Sequence, residues 1–337
     1  MQINNNQTSS WPILVDSAAT STPTPSCSCV NISKPLEAIS SAINRLITNR
    51  AGLAYLAGKV LVPSQFLGPD LATSKQVIEA VCKNSNRNHP KFERFEISDD
   101  EGPLRGLICY PHNWNPTDRS RCVIYHNPNG ITLPEYFENG RLDWTPHDIL
   151  KIHNCPVILY DYLGTGLSQN PAPSSLPRIY PTYSTVVKDG EIAINYALKQ
   201  FQQVDVWGSS LGGGVATIAL ESHLKRHPQD SQRVSITNHD SFSTTPRVVM
   251  PNWPRFADLL GAIVGAKIDA TKAMQSLIDR GIKVTILCHT ADPIIPKGAR
   301  MADFVAALPP ANNVMLIYSK EMEHAGLSAD MLQRLRS

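Results

Sequence analysis

A short glycine-rich turn between an apolar strand and an apolar helix constrains this chain more than any other feature. Residues 203–214 read Gln-Val-Asp-Val-Trp-Gly-Ser-Ser-Leu-Gly-Gly-Gly, and the turn within them has the pattern G-x-S-x-G. In a strand–turn–helix setting this pattern lifts the central serine above the edge of a sheet. The glycines on either side remove side chains that would collide there, at a cost of about 1 kcal/mol each relative to alanine inside a helix. The turn therefore predicts that Ser210 is a nucleophile.

The remaining composition argues against several other classes of protein. A phosphate-binding loop would need a lysine after the last glycine or the spacing G-x-G-x-x-G, and neither is present. The 31 basic and 29 acidic residues nearly balance, so no nucleic-acid partner is predicted. No stretch reaches the eighteen apolar residues of a transmembrane helix, and none is predicted.

The cysteines indicate free thiols rather than a disulfide framework. Their number, seven, is odd, and four lie in or beside predicted strands. Cys27 and Cys29 have no matching Cys or His pair downstream, so no metal site is predicted. A reducing compartment fits this usage best.

The chain divides into three predicted regions. Residues 1–34, rich in Asn, Ser, Thr and Pro, are predicted to be disordered, and residues 35–91 to form a helical extension with helices from Pro35 and over Leu71–Cys82. Residues 92–337 alternate apolar strands with helices, which predicts an α/β domain with a mostly parallel sheet of about eight strands. The predicted strands are Phe92–Ile97, Leu104–Tyr110, Cys122–His126, Pro156–Tyr160, Val204–Trp207, Val234–Asn238, Val284–His289 and Val314–Tyr318. The predicted helices are Val186–Lys199, Leu211–Lys225, Thr271–Arg280 and Gly298–Ala307.

Two loops after late strands supply partners for the serine. A serine hydroxyl needs an adjacent base, itself oriented by a carboxylate, and with this kind of turn the chain order is serine, acid, histidine. Asp292 follows the strand Val284–His289, and His324 follows the strand Val314–Tyr318. Ser210, Asp292 and His324 are therefore the predicted catalytic residues.

Each of these residues has an alternative interpretation. Asp292 could cap a helix, although the adjacent Pro293 and two isoleucines fit a rigid loop better. His324 could be a surface histidine. Asp240, which follows the strand Val234–Asn238, is the rival acid, while His239 and His289 are interpreted as structural residues at strand ends.

An oxyanion hole would combine two backbone N–H groups. The first is predicted to belong to Leu211, directly after the serine. The second would come from the loop His126-Asn127-Pro128-Asn129-Gly130, where proline has no N–H, so either Asn127 or Asn129 must supply it. His126 is predicted to hold the loop by a hydrogen bond rather than to transfer protons.

Taken together, these segments over residues 92–337 resemble the α/β-hydrolase superfamily. The segments that carry the resemblance are His126–Gly130, Asp161–Ser168 (Asp-Tyr-Leu-Gly-Thr-Gly-Leu-Ser), Gly208–Gly214, Asp292–Pro296 and His324–Gly326. The resemblance implies that Ser210 attacks an acyl carbonyl, that His324 takes its proton and that Asp292 orients His324, with no metal or organic cofactor. One departure is the pair His126-Asn127, where the family has His-Gly. The segment Asp161–Ser168 is interpreted as a structural turn rather than a phosphate site.

The predicted function is that of a serine hydrolase acting on a small-molecule ester, thioester or lipid-like substrate. The alternatives are a scaffold or binding protein with little turnover, and an acyltransferase that passes the acyl group to another acceptor. Apolar residues between Phe242 and Lys283 are expected to pack in the core, the alternative being a small cap over an acyl pocket. A cytoplasmic location is predicted because no signal peptide is evident; the composition of residues 1–34 also resembles that of proteins exported by specialised bacterial secretion systems.

Overall fold

The computed structural model describes residues 69–84, 91–99, 102–115, 117–138, 141–169, 182–249 and 268–336. The predicted disordered segment 1–34, the helix predicted from Pro35 and the apolar residues between 250 and 267 lie outside these ranges. The boundaries of the three predicted regions therefore stay predictions.

An eight-stranded sheet forms the centre of the described structure. Its spatial order is β1-β2-β6-β3-β7-β8-β9-β10, and a separate two-stranded hairpin pairs β4 with β5. The strands are β1 (Lys91–Asp99), β2 (Gly102–Tyr110), β3 (Arg121–His126), β4 (Phe137–Glu138), β5 (Arg141–Leu142), β6 (Val157–Tyr160), β7 (Gln203–Ser209), β8 (Val234–His239), β9 (Lys283–His289) and β10 (Val314–Ser319). All eight strands predicted from the sequence are present in the large sheet, so the predicted fold class is confirmed.

Helices cover both faces of this sheet. They are α1 (Leu71–Asn84), α2 (Trp144–His153), α3 (Tyr183–Gln200), α4 (Leu211–Arg226), α5 (Thr245–Val249), α6 (Thr271–Asp279), α7 (Met301–Ala306) and α8 (Ala329–Arg336). The helix predicted from Gly298 begins only at Met301, because Gly298 adopts a left-handed φ of 83° within a turn. Helix α2 and the β4–β5 hairpin were not predicted. Among the described helices, none has both the length and the apolar composition needed to cross a membrane.

The strand directions bring the predicted site to one edge of the sheet. From β6 to β10 across the sheet, neighbouring strands pair in parallel, while β2 pairs antiparallel with both β1 and β6. The carboxyl ends of β3, β7, β8, β9 and β10 therefore lie at the same edge. In open α/β sheets that edge is where ligands bind.

Successive side chains of a strand point to opposite faces of the sheet, and apolar side chains form a core on each face. On β3, Cys122 and Ile124 pack into one apolar cluster with α3 and α4, whereas Val123 and Tyr125 pack into the other with α1 and α2. These four side chains are at most 1% exposed. Both faces of the central strands are thus sealed, and polar side chains that need access must lie beyond the strand ends.

Candidate active site

Ser210 lies on a sharp turn between β7 and α4. Its backbone has φ 53° and ψ −118°, a conformation that costs a residue with a Cβ of the order of 1–3 kcal/mol. The turn is held from the neighbouring strand, because the Ser210 N–H donates to the carbonyl of His239 (2.9 Å) and the Ser241 hydroxyl donates to the carbonyl of Ser210 (2.8 Å). The strained serine conformation expected from the sequence is therefore present.

The glycines around this turn are required by close backbone approach. A Cβ atom at Gly208 would overlap the carbonyl oxygen of Gly212, and one at Gly212 would overlap the carbonyl oxygen of His126. A Cβ at Gly213 would come within 2.5 Å of the Cβ of Ser241. Helix α4 therefore begins tightly packed between the ends of β3 and β8, which explains why glycine is tolerated at its first turn.

Asp292 and His324 form a hydrogen-bonded pair beside this turn. The Nδ1 atom of His324 lies 2.8 Å from Oδ2 of Asp292. The other carboxylate oxygen accepts the N–H groups of Ile294 (2.7 Å) and Ile295 (3.0 Å). Since α7 begins at Met301, Asp292 braces a turn rather than capping a helix.

The exposure of the two side chains differs in the way a catalytic pair requires. The Asp292 side chain is 1% exposed, whereas that of His324 is 18% exposed. A carboxylate held by two backbone N–H groups and one imidazole keeps the ring in a fixed orientation, and the opposite ring nitrogen remains free to meet a reacting group.

Ser210 and His324 share this edge of the sheet without a direct bond. Among the described residues, no hydrogen bond joins the Ser210 hydroxyl to His324. They are linked through the end of β8. The Ser210 N–H donates to the carbonyl of His239, and Asp240, which follows His239, has a carboxylate oxygen within 4.8 Å of side-chain atoms of both Asp292 and His324. In structures without substrate, catalytic hydrogen bonds are often long or poorly aligned, so a missing bond does not exclude a role for either residue.

Asp240 is the centre of a second, fully buried network. Its Oδ2 lies 2.7 Å from Nδ1 of His289 and 3.3 Å from Nε2 of His239, and its Oδ1 accepts the backbone N–H of His289 (2.7 Å). Burial alone would raise the pKa of Asp240, but the charges of His239 and His289 and their hydrogen bonds hold it well below its usual range. Burial lowers the pKa of His289, yet the hydrogen bond and charge of Asp240 outweigh it, so this pKa lies above its usual value.

This network has the donor atoms of a metal site but not the spacing. His239, Asp240 and His289 each offer one ligand-type atom, all within 4.8 Å of one another. In a tetrahedral zinc site with bonds of about 2.0–2.1 Å, ligand atoms would stand roughly 3.3 Å apart. The 3.3 Å between Asp240 and His239 fits that spacing, but the 2.7 Å between Asp240 and His289 is a hydrogen-bond distance, so the three atoms together do not have the spacing of a metal site.

The two asparagines of the oxyanion loop occupy different environments. Asn127 is buried, its amide donates to the carbonyl of Tyr160 (2.7 Å), and its backbone lies against Gly212 at the start of α4. Asn129 is exposed. The N–H of Leu211 lies at the first position of α4, where helix N–H groups lack partners within the helix.

His126 anchors the same loop. Its Nδ1 lies 2.7 Å from the hydroxyl of Tyr160, and burial lowers the pKa of His126 to about 3. The ring is therefore neutral at pH 7 and completely buried, as expected of a residue that holds the loop rather than transfers protons.

The segment Asp161–Ser168 forms a packed turn. The Asp161 carboxylate accepts the N–H groups of Leu133 (2.7 Å) and Leu167 (2.8 Å), and a Cβ at Gly166 would overlap it. Burial, partly offset by these hydrogen bonds, raises the pKa of Asp161 to about 7. The carboxylate is turned inward to brace backbone, which agrees with the structural interpretation.

Sequence reasoning missed Thr145, which contacts the histidine loop, and the backbone conformation of Ala325 within that loop. Thr145, in the first turn of α2, donates its hydroxyl to the carbonyl of Ala325 (2.6 Å). Ala325 adopts a left-handed φ of 62° directly after His324. Of the five non-glycine residues with positive φ in the described part of the chain, three are Ser210, Asp240 and Ala325, and a fourth is Trp144, next to Thr145. No sequence pattern marks these positions, because alanine and threonine carry no turn signal of their own.

Comparison with known proteins places these features in context. No family model matches the sequence, and no curated protein matches it. Among solved structures, an esterase of Pyrobaculum calidifontis is 15% identical with a TM-score of 0.47, covering 80% of this chain and 91% of its own. An esterase of Pyrococcus furiosus is 12% identical (TM-score 0.46; 70% of this chain, 83% of its own). A brefeldin A esterase, described as a bacterial homologue of human hormone-sensitive lipase, is 14% identical (TM-score 0.45; 80% and 82%).

At these identities the activities of the similar structures do not transfer to this chain. The fold assignment rests on the chain's own topology: an eight-stranded sheet with one reversed strand next to its edge, and a strained serine between a central strand and its helix. These are the features of the α/β-hydrolase fold, and the chain has that fold.

Proposed function

We propose that this protein is a serine hydrolase that cleaves an ester or thioester through an acyl-enzyme. The observation that carries the proposal is the Asp292–His324 hydrogen bond of 2.8 Å at the sheet edge where Ser210 sits on its strained turn. A histidine oriented by a buried carboxylate, near a serine lifted off a sheet, is the arrangement that nucleophilic acyl transfer needs.

Each proposed catalytic residue has a distinct role in the reaction. Ser210 Oγ forms a bond to the acyl carbon while its proton passes to Nε2 of His324. The imidazolium then donates that proton to the leaving alkoxide or thiolate as the bond to the acyl carbon breaks. Water, deprotonated by the same histidine, releases the acid and restores the serine. Asp292 orients the ring and stabilises its charged form.

The N–H groups of Leu211 and Asn127 are proposed to bind the oxyanion. Leu211 lies at a helix start, where the helix dipole also favours negative charge. Asn127 is preferred to Asn129 because it is buried against the same helix start, while Asn129 is exposed. Two preorganised donors of this kind each contribute about 10²–10³ in rate.

We propose that the substrate carries an apolar group on its acyl or its alcohol side. The exposed large apolar side chains of the described residues include Trp144 (59%), Ile294 (55%) and Met322 (80%). Ile294 is two residues from Asp292, Met322 is two residues from His324, and Trp144 precedes the threonine that contacts Ala325. Apolar groups left exposed beside a catalytic pair favour substrates that cover them.

An activity-based probe tests the proposed nucleophile. A fluorophosphonate should label the wild type and Ser209→Ala, which removes the neighbouring serine of the same turn, but not Ser210→Ala. Equal labelling of wild type and Ser210→Ala would discard the proposal. Hydrolysis of p-nitrophenyl esters of increasing chain length should then show turnover that depends on Ser210 and rises from acetate toward longer acyl groups.

A binding or scaffold protein with little turnover is the second candidate. Two observations favour it: the described residues contain no hydrogen bond between Ser210 and His324, and the oxyanion loop has Asn127-Pro128 where the family has glycine after its histidine. Probe labelling without measurable ester turnover would favour this candidate over the hydrolase.

A further inference from the structure

The residue after His324 is held by side chains from two other elements. The Ala325 N–H donates to Oδ2 of Asp240 (2.9 Å), and the Ala325 carbonyl accepts the hydroxyl of Thr145 (2.6 Å). A left-handed alanine costs roughly 1–2 kcal/mol and persists only where its surroundings fix it. The backbone that carries His324 therefore depends on these two bonds.

Asp240 is itself locked in place. Its N–H donates to the carbonyl of Leu287 (2.9 Å), its Oδ1 accepts the N–H of His289, and its Oδ2 contacts the His289 ring. The side chains of Asp240, His239 and His289 are all 0% exposed. A carboxylate with this many donors cannot rotate without breaking several hydrogen bonds at once, so it is a rigid anchor.

We propose that Asp240 is a positioning residue for His324, acting through the N–H of Ala325. This inference rests on the proposed hydrolase function. It changes the interpretation of Asp240 from a rival acid to a second carboxylate with a separate role. Asp292 orients the ring, and Asp240 fixes the backbone that carries it.

A purely structural role for Asp240 predicts a different pattern of effects. With such a role, Asp240→Asn would lower the stability of the protein but leave the turnover number of the folded protein unchanged. A positioning role must change kcat with little change in KM, because the buried carboxylate cannot touch substrate.

The experiment compares Asp240→Asn, Thr145→Val and a control, Asp330→Asn, which removes a half-exposed carboxylate paired with Arg334 on α8. In Asp240→Asn one of the two accepting oxygens is replaced by an NH2 group, which cannot accept a hydrogen bond from the backbone N–H that faces it. We therefore expect kcat for a p-nitrophenyl ester to fall about 10- to 100-fold with KM within about twofold.

Thr145→Val tests the other bond that holds Ala325. It removes the bond to the Ala325 carbonyl without changing any charge, so kcat should fall by about threefold to tenfold with KM within about twofold. Asp330→Asn should match the wild type in both respects.

Three outcomes decide between these possibilities. If the wild type lacks turnover that depends on Ser210, the proposed function fails and this inference fails with it. If the wild type turns over but Asp240→Asn retains its kcat, the positioning role alone is overturned. Should Asp240→Asn not fold, Thr145→Val decides: an unchanged kcat there overturns the dependence of His324 on its backbone anchor.

Discussion

Two histidine–aspartate pairs lie side by side at the carboxyl edge of this sheet, and they differ in access rather than in geometry. In one, Nδ1 of His324 is 2.8 Å from Asp292; in the other, Nδ1 of His289 is 2.7 Å from Asp240. The His324 side chain is 18% exposed, whereas both members of the second pair are 0% exposed. A hydrogen bond between imidazole and carboxylate is thus no mark of catalysis by itself.

The difference lies in what the second ring nitrogen can reach. Nε2 of His289 is buried and has no hydrogen-bond partner among the described residues, while the ring of His324 is partly open to solvent beside the Ser210 turn. A proton carrier must alternate between its nucleophile and its leaving group, which a sealed ring cannot do. The open ring of the first pair therefore supports the chemical role we propose for it, while the sealed second pair suits a structural one.

The largest expected effect separates the two histidines by activity. His324→Ala should lower kcat/KM for a p-nitrophenyl ester by about 10³-fold or more, because the serine loses its base. His289→Ala should lower it by less than about tenfold, since Ala325 can still donate to Asp240. Initial rates of the two purified variants provide the measurement, and comparable losses in both would abolish the distinction drawn between the pairs.

Stability should show the opposite order. His289→Ala removes the ring partner of a buried carboxylate and should lower the free energy of unfolding by about 3–5 kcal/mol. The raised pKa of His289 means that the folded state binds its proton more tightly than the unfolded state. That contribution is complete below the unfolded pKa and is lost as the pH rises through the folded pKa.

Urea unfolding of wild type and His289→Ala at pH 6 and pH 8.5 measures this effect. The difference in stability should be larger at pH 6 than at pH 8.5. A difference that grows with pH would show that His289 is not stabilised in its protonated form by Asp240.

The smallest expected effect concerns the loop after β3, where a buried asparagine, Asn127, is compared with an exposed one, Asn129. Asn127→Ala loses the bond to the Tyr160 carbonyl and the one accepted from the Tyr136 hydroxyl (3.2 Å), so the loop that presents its N–H should loosen. We expect kcat to fall about fivefold to tenfold, whereas Asn129→Ala should stay within about twofold of wild type. Steady-state rates of both variants test this, and a greater loss in Asn129→Ala would move the proposed oxyanion donor to that residue.

Much of the fold could be predicted because its signals are local. Most strands of the large sheet are short runs rich in apolar residues, β1 alternates apolar with polar residues, and the turn at Ser210 is marked by Gly208 and Gly212. Helix α2 and the short β4–β5 hairpin escaped prediction. Trp144 opens that helix with a left-handed φ of 60°, a conformation for which tryptophan gives no signal, and two-residue strands are too short to show alternation.

The candidate site could be predicted in part for the same reason. Asp292 and His324 were found because each follows a late strand in the expected order, and they do form a hydrogen bond, although their catalytic roles stay proposals. The bond between Thr145 and Ala325 could not be found, since a bond between residues 180 positions apart leaves no trace in either local sequence.

What the sequence determined by itself is the sheet, the strained turn and the chain order of serine, acid and histidine, because these depend on patterns within a few residues and on which strand each loop follows. The tertiary structure decided which of two carboxylates, Asp292 or Asp240, bonds to the His324 ring and which of two asparagines faces the helix start. Those choices depend on how neighbouring strand ends are staggered and on which way each side chain turns, and hydrogen-bonded distances of about 3 Å are fixed only once the strands have packed.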